Sequence, residues 1–313
     1  VSDFYDAVDD PNEYGLTPDQ KFYRFPPPPG VTVPKGWRGW TRTTNLVGAF
    51  SDQKALELWS ERQTLLGLLA NEGTVFDEMA AVALEDLTDE RLNAFADKAR
   101  EAVGADTAAR RGTARHAVFE GYQNTGRIQG HRRIKLQMAS LLEALELNEL
   151  DLIPEWSERK VWHPAGGGVM GTMDTRVMCR RTGREGVLDL KTQARFWTYQ
   201  EVCGQQEIYS GAPWVWQGPY DASGGWVPNP DNNLMGHPDG ALAGRKVALL
   251  AHMPQQPGEG QLPVEIHEVD IEYGARVVEE AVRIRELRSI GKSTAYGRRV
   301  GQIRPPSALA RQA

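Results

Sequence analysis

The stretch Gly171-Thr172-Met173-Asp174-Thr175-Arg176-Val177-Met178-Cys179, a polar turn around Gly183, and then Gly186-Val187-Leu188-Asp189-Leu190-Lys191-Thr192 reads as a hairpin of two strands. Residues two apart in a strand share a face, so Asp189 and Lys191 stand on one side while Leu188 and Leu190 turn into a core. If the strands pair, Asp174 comes close to Asp189. Two carboxylates and an ammonium then meet at one sheet edge. Carboxylates are hard oxygen donors suited to Mg²⁺ or Mn²⁺, and an ammonium beside them offsets charge building on a phosphate. That is equipment for cutting a phosphodiester bond.

Around this hairpin the pattern of apolar residues divides the chain. Upstream, Ser51-Asp52-Gln53-Lys54 has the form of a helix cap, and Ala55, Leu56, Leu58, Trp59, Leu65, Leu66 and Leu68 follow at near-helical spacing over 53–69. Further helices are expected at 76–85, 88–104, 107–124 and 136–147. From Asp151 onward the pattern changes to strands at 154–163, 171–179 and 186–191, a helix at 197–211, strands at 246–253 and 264–270, and a charged amphipathic helix at 273–289. The expected fold class is therefore α/β, a mixed central sheet flanked by helices with a helical N-terminal region. Residues 1–40 are rich in acid and proline, with Pro26-Pro27-Pro28-Pro29-Gly30 in the middle, and read as an extended arm whose end docks through Trp37 and Trp40. The body spans 41–290, helical over 41–150 and sheet core over 151–290. Within it, 212–244 is rich in Gly, Pro, Asn and Asp and reads as an insertion or long loop. Residues 291–313 form a basic tail.

Composition narrows the partners. No run approaches the length of a membrane span, and Val1-Ser2-Asp3-Phe4-Tyr5 does not read as a signal peptide, so a membrane is not an expected partner. With only Cys179 and Cys203, a disulfide framework is not expected and a reducing cytoplasm is the simpler setting. Two cysteines also fall short of the four thiolates that usually hold an iron–sulfur cluster. The net charge of −6 argues against a general nucleic-acid coat protein. It does not argue against a nuclease, whose metal site needs clustered acids. Local basic clusters occur at Arg110-Arg111, at 131–135, at Arg180-Arg181 and in the tail; each alone reads equally as a solvated surface.

An Asp-x-Lys triplet is expected about once by chance in a chain of this length. Its company in a fixed order carries more. Gly112-Thr113-Ala114-Arg115-His116 lies on a helix with Glu120 one turn later; Glu155 opens the first expected strand; Asp174, Asp189 and Lys191 follow; and Gln205-Gln206-Glu207-Ile208-Tyr209 puts Gln205 and Tyr209 on one helical face. This order, from Thr41 to Leu287, resembles the RecB-like branch of the PD-(D/E)XK nuclease superfamily, which includes bacteriophage exonucleases and the CRISPR-associated exonucleases.

The resemblance implies a restriction-endonuclease-like core and metal-dependent hydrolysis of DNA in recombination, replication or repair, as an exonuclease. It implies that Asp174 and Asp189 bind one or two Mg²⁺ or Mn²⁺ ions, joined by His116 and the carbonyl of Leu190, and that Lys191 is the catalytic lysine. Gln205 and Tyr209 would line the site and contact DNA, with Glu155 and Glu120 as further acids. Arg110, Arg111 and Arg115 would steer the DNA backbone. A single-strand-binding or recombination protein is an implied partner beside the DNA. No iron–sulfur cluster and no Walker motif is present in the sequence. Other readings of the same residues stay open. Asp174 pairs with Arg176 or Arg184, Lys191 is a plain salt-bridge partner of Asp189, and Gln205 and Tyr209 satisfy each other. Trp197, Tyr199, Trp214 and Trp216 either stack on an unpaired DNA end or pack. A nuclease fold that has lost turnover would serve as a DNA- or protein-binding accessory. His131, His163, His237, His252 and His267 show no ligand spacing.

Overall fold

The computed structural model describes residues 15–16, 22–33, 35, 37–50, 53–70, 75–105, 107–193, 199–219, 224–254 and 264–293. Its strands are β1 (Gly15–Leu16), β2 (Phe22–Arg24), β3 (Trp40–Arg42), β4 (Leu150–Ile153), β5 (Arg159–His163), β6 (Val169–Met173), β7 (Thr175–Cys179), β8 (Arg184–Lys191), β9 (Trp214–Gln217), β10 (Gly225–Pro228), β11 (Val247–His252) and β12 (Glu265–Asp270). Its helices are α1 (Thr43–Val47), α2 (Gln53–Ala70), α3 (Val75–Ala80), α4 (Asp89–Ala102), α5 (Thr107–Thr125), α6 (Arg132–Leu147), α7 (Tyr199–Gly211) and α8 (Ile271–Ser293). The fold is α/β with mixed sheets and helices. No helix among the described residues is long and apolar enough to cross a membrane.

The center is β8, whose residues 186–190 are buried on both faces. It pairs antiparallel with β7, with Thr175 opposite Leu188, and parallel with β11, with Leu250 opposite Asp189 and His252 opposite Lys191. With β12 and β4 at the edges this makes a five-stranded mixed sheet in the order β12-β11-β8-β7-β4. Leu188 and Leu190 do face a core. They pack with Phe119 of α5, Met138, Leu141 and Leu145 of α6, and Leu249 and Ala251 of β11. The opposite face carries Val187 and Ala248 against Ile208 and Tyr209 of α7 and Val278 and Ala281 of α8.

The expected single strand 171–179 is two strands in two sheets. β6 ends at Met173 and belongs to a seven-stranded sheet ordered β1-β2-β3-β6-β5-β9-β10, while β7 starts at Thr175 and belongs to the five-stranded one. Asp174 is the residue at which the chain passes from one sheet to the other. The expected strand 154–163 also starts late, because Pro154–Trp156 forms a 3-10 turn and β5 begins at Arg159. A proline has no N–H to give to a strand ladder.

Two further expectations differ. Within residues 1–40, the 22–33 portion is packed rather than extended in solvent: β2 pairs with β3, and Tyr23 and Phe25 are buried with Trp40, Trp162, Met170 and Trp216. Phe25 meets Trp216 edge-on at 5.2 Å and Trp40 meets Trp162 at 5.6 Å between ring centroids. Trp216 thus packs in this cluster and does not wait for a base. The 212–244 stretch is likewise woven into the body. β9 and β10 extend the seven-stranded sheet, and the Asn232 side chain accepts from Val187 N at 3.0 Å and donates to Val247 O at 2.9 Å. Arg176, fully buried, donates to the carbonyls of Pro230 and Asp231 and therefore is not a hairpin partner of Asp174. Trp197, most of the arm before Phe22 and the tail beyond Ser293 lie outside the described residues.

α7 and α8 pack along one another through glycine. A Cβ on Gly274 would collide with the carbonyl of Cys203, so the helices approach backbone to backbone. Gly274→Ala is expected to lower unfolding stability by about 1–3 kcal/mol. Gly121→Ala on α5, where a Cβ meets nothing within 4 Å, is expected to be neutral or stabilizing by up to about 1 kcal/mol. Urea unfolding of the two variants checks the contrast.

Candidate metal centre

The crossing at Asp174 builds the site. Its carbonyl accepts from Glu158 N at 3.0 Å, and its Oδ2 accepts from Leu190 N at 2.7 Å. Strand residues alternate the side to which their N–H and C=O point. Lys191 O accepts from Met253 N on the β11 side, so the Leu190 carbonyl leaves toward Asp174. Across from it, His116 of α5 sets Nδ1 3.5 Å from Asp174 Oδ2. One donor atom each of His116, Glu158 and Asp174 lie within 4.8 Å of one another. Asp189 is one strand away, with Oδ2 2.6 Å from Lys191 Nζ. Beyond this ion pair, Asp189 Oδ2 is buried without a donor. Lys191 Nζ donates to Gln205 Oε1 at 3.1 Å, and Gln205 Nε2 donates to Tyr209 Oη at 2.7 Å. Gln205 and Tyr209 thus do satisfy each other, and in doing so they aim Lys191.

These side chains open on a cavity of about 190 Å³ lined by His116, Asp174, Asp189, Lys191, Gln205 and Tyr209 together with Arg42, Thr44 and Thr172. Asp189, only 1% exposed, reaches this cavity rather than bulk solvent. At about 30 Å³ per water, the volume holds an ion with several ligands. Gly171 shapes one wall, because any Cβ there would strike the Tyr209 ring and Thr43.

The charges explain one another. Burial pushes Asp174 up, but the hydrogen bond and charge of His116, the charge of Lys191 and the Leu190 amide outweigh it and hold its pKa low. Burial pulls His116 down, and the bond to Asp174 with the charges of Asp174 and Asp189 carries it above its ordinary value. Asp189 is pushed by burial and by Asp174 to about 6, in spite of the pull of Lys191. Glu158 is pushed by burial and Asp174 to about 8, with Glu120 adding and Lys160 opposing. Lys191 is raised, because Asp189 and Asp174 outweigh burial, so it stays an ammonium at neutral pH. Three acids therefore crowd a space that two lysines and a histidine only partly neutralize. Donors around an octahedral ion at about 2.1 Å stand about 3–4 Å apart, and His116 Nδ1 and Asp174 Oδ2, at 3.5 Å, have that spacing. The oxygen-rich set with one imidazole fits Mg²⁺ or Mn²⁺.

Several expected residues sit elsewhere. Glu155 is exposed in the 3-10 turn and its place is taken by Glu158, a non-glycine residue held at φ 52°. Side chains rarely adopt that conformation, and it recurs at functional sites. Glu158 was missed because the strand was expected to start before it; the Glu-x-Lys spacing of Glu158 and Lys160 at the true start of β5 was the available signal. Lys160, whose Nζ donates to Thr172 Oγ1 at 2.8 Å, was also missed. Glu120 is near enough for its charge to act on Glu158 and Lys160, but it is not one of the three converging donors. Arg115 is not a DNA-steering cation: it is 3% exposed, and it donates to Gln137 Oε1 and to the Arg111 carbonyl. Arg110 is engaged with Glu101 on the surface, and Arg111 is exposed. No protein-family model matches this sequence, and no curated protein matches it.

The raised Glu158 gives a pH signature in metal-free protein. Its folded pKa of about 8 lies above the ordinary 4.5, so the folded chain holds the proton more tightly. That contribution is complete below 4.5 and is lost as pH rises to about 8. Relative to Glu158→Gln, the parent is expected to lose roughly 1–4 kcal/mol across this window in urea unfolding with chelator present.

Proposed function

We propose that the protein is a Mg²⁺- or Mn²⁺-dependent deoxyribonuclease built on a restriction-endonuclease-like core. The observation that carries this reading is that His116 and Asp174, whose donors converge with Glu158, line one cavity with the Asp189–Lys191 pair. The order of elements supports it: the β7–β8 hairpin bearing the acids, then α7, then β11 parallel to β8 and β12 antiparallel beyond it.

When bound, the ion supplies Lewis acidity to the scissile phosphate and to water. His116, Asp174, Glu158 and the Leu190 carbonyl would hold it, with Asp189 at the adjoining edge. The chain does the rest. Lys191, fixed as an ammonium by two carboxylates, is no general base; it holds water by hydrogen bonding and offsets charge that builds on the phosphate. The Tyr209–Gln205–Lys191 relay fixes the ammonium in direction. Arg42 in the cavity lining and Arg111 on the surface are the cations that would meet phosphates of the DNA backbone, in contacts that weaken with salt.

Purified protein with Mn²⁺ or Mg²⁺ is expected to degrade DNA. Asp189→Ala, Lys191→Ala and Glu158→Gln are each expected to reduce the rate by roughly 10²-fold or more, while Glu155→Gln leaves it within a factor of about two. Undiminished cutting by folded Asp189→Ala and Lys191→Ala protein would assign the activity to a contaminant. A time course on linear, circular and single-stranded DNA separates end-dependent from internal cutting.

A further inference from the structure

His252, Glu265 and His267 carry no ligand spacing in the sequence, yet strand pairing gathers them. β11 and β12 run antiparallel with His252 opposite Glu265 and Leu250 opposite His267, so all three side chains stand on one face. One donor atom from each lies within 4.8 Å of the others. His267 Nε2 is 3.1 Å from Glu265 Oε2, and His252 Nδ1 is 4.0 Å from the same oxygen.

The orientation of His252 is the telling detail. Its Nε2 lies 2.9 Å from the carbonyl oxygen of Gln193. A carbonyl can only accept, so Nε2 carries the hydrogen, and in the neutral ring the lone pair is on Nδ1. That is the nitrogen turned toward Glu265. Histidines that bind metals are set in this way, one nitrogen donating to a carbonyl and the other directed at the ion. His252 is 6% exposed, whereas the side chains of Glu265 and His267 are 39% and 42% exposed, so the site is anchored inside and open to solvent on one side.

We propose that His252, Glu265 and His267 form a zinc site, with solvent as the fourth ligand. Two imidazoles and one carboxylate are a zinc donor set, unlike the oxygen-rich set around Asp174. The ion would tie the end of the β11–β12 pair to the chain leaving β8, since Gln193 follows Lys191 by two residues. The site is independent of the nuclease reading, because its ligands are not those of the first center.

The test uses the full chain, stripped with chelator and titrated with Zn²⁺ in excess Mg²⁺, which favors the oxygen-rich center. Retained zinc after desalting and the melting temperature are read together. One equivalent of zinc and a raised melting temperature are expected for the parent and for Asp174→Asn. At least about tenfold weaker zinc binding is expected for His267→Ala and Glu265→Gln, with unchanged circular dichroism. The proposal is overturned if the parent retains no zinc, or if both of those variants retain it as the parent does. It is also overturned if folded Asp174→Asn alone loses zinc, which would place the ion in the first center.

Discussion

The cost of burying carboxylates where the two sheets meet governs this structure. Asp174 is the hinge of that meeting, 7% exposed, between a strand of one sheet and a strand of the other. An isolated ionized carboxylate there would be prohibitive. The Leu190 amide, His116 and Lys191 offset it well enough to keep its pKa low. They do not offset three acids at once. Asp189 rises to about 6 and Glu158 to about 8, so part of the charge is held off by protons. A divalent cation relieves the same conflict without protonation. The fold has thus concentrated negative charge at a cavity, which agrees with an overall charge of only −6 in a chain proposed to act on a polyanion. The field at the site, not the net charge, decides what enters.

Much of this was legible in the sequence, for local reasons. Alternation along Gly186–Lys191 has a period of two, and the structure places Leu188 and Leu190 in a core and Asp189 and Lys191 at the cavity. Gln205 and Tyr209 are four apart on a helix and meet as that spacing requires. The failures are equally physical. Asp174 ends one strand and precedes another, and no periodicity distinguishes a strand that changes sheets from one that continues. Glu158 was displaced by Glu155 because the strand was expected to start at Pro154, five residues before β5 begins at Arg159. Arg115 looked like a surface cation, but its helix turns it toward Gln137 of α6. Proline at 26–29 hid the fact that Tyr23 and Phe25 beside it are core residues. Strand pairing across a long connection joined His252 to Glu265 and His267, and spacing along the chain carries no trace of it.

The two lysines of the site show how burial and charge divide labor between like groups. Lys191 lies against Asp189 and Asp174, and their fields outweigh desolvation, so its proton is held more firmly than usual. Lys160 is near Glu158, Glu120 and Asp174, yet desolvation outweighs them and its proton is held less firmly. The partners explain the difference. The nearest acid to Lys191 is an ion-pair partner at 2.6 Å, and Lys160 donates to the neutral Thr172 hydroxyl and stands over the Tyr23 ring at 5.8 Å. A fixed positive charge aimed by Gln205 suits stabilization of an anion that forms and disappears. A lysine braced by a hydroxyl and an aromatic face suits holding Glu158 and the strand that carries it in place. Exchanging Lys191 for a neutral group therefore removes charge from the cavity, while exchanging Lys160 removes support from an acid already held in a strained backbone conformation. The strain at Glu158 is sustainable because its amide is bonded to the Asp174 carbonyl, and that bond returns the whole arrangement to the crossing between the sheets.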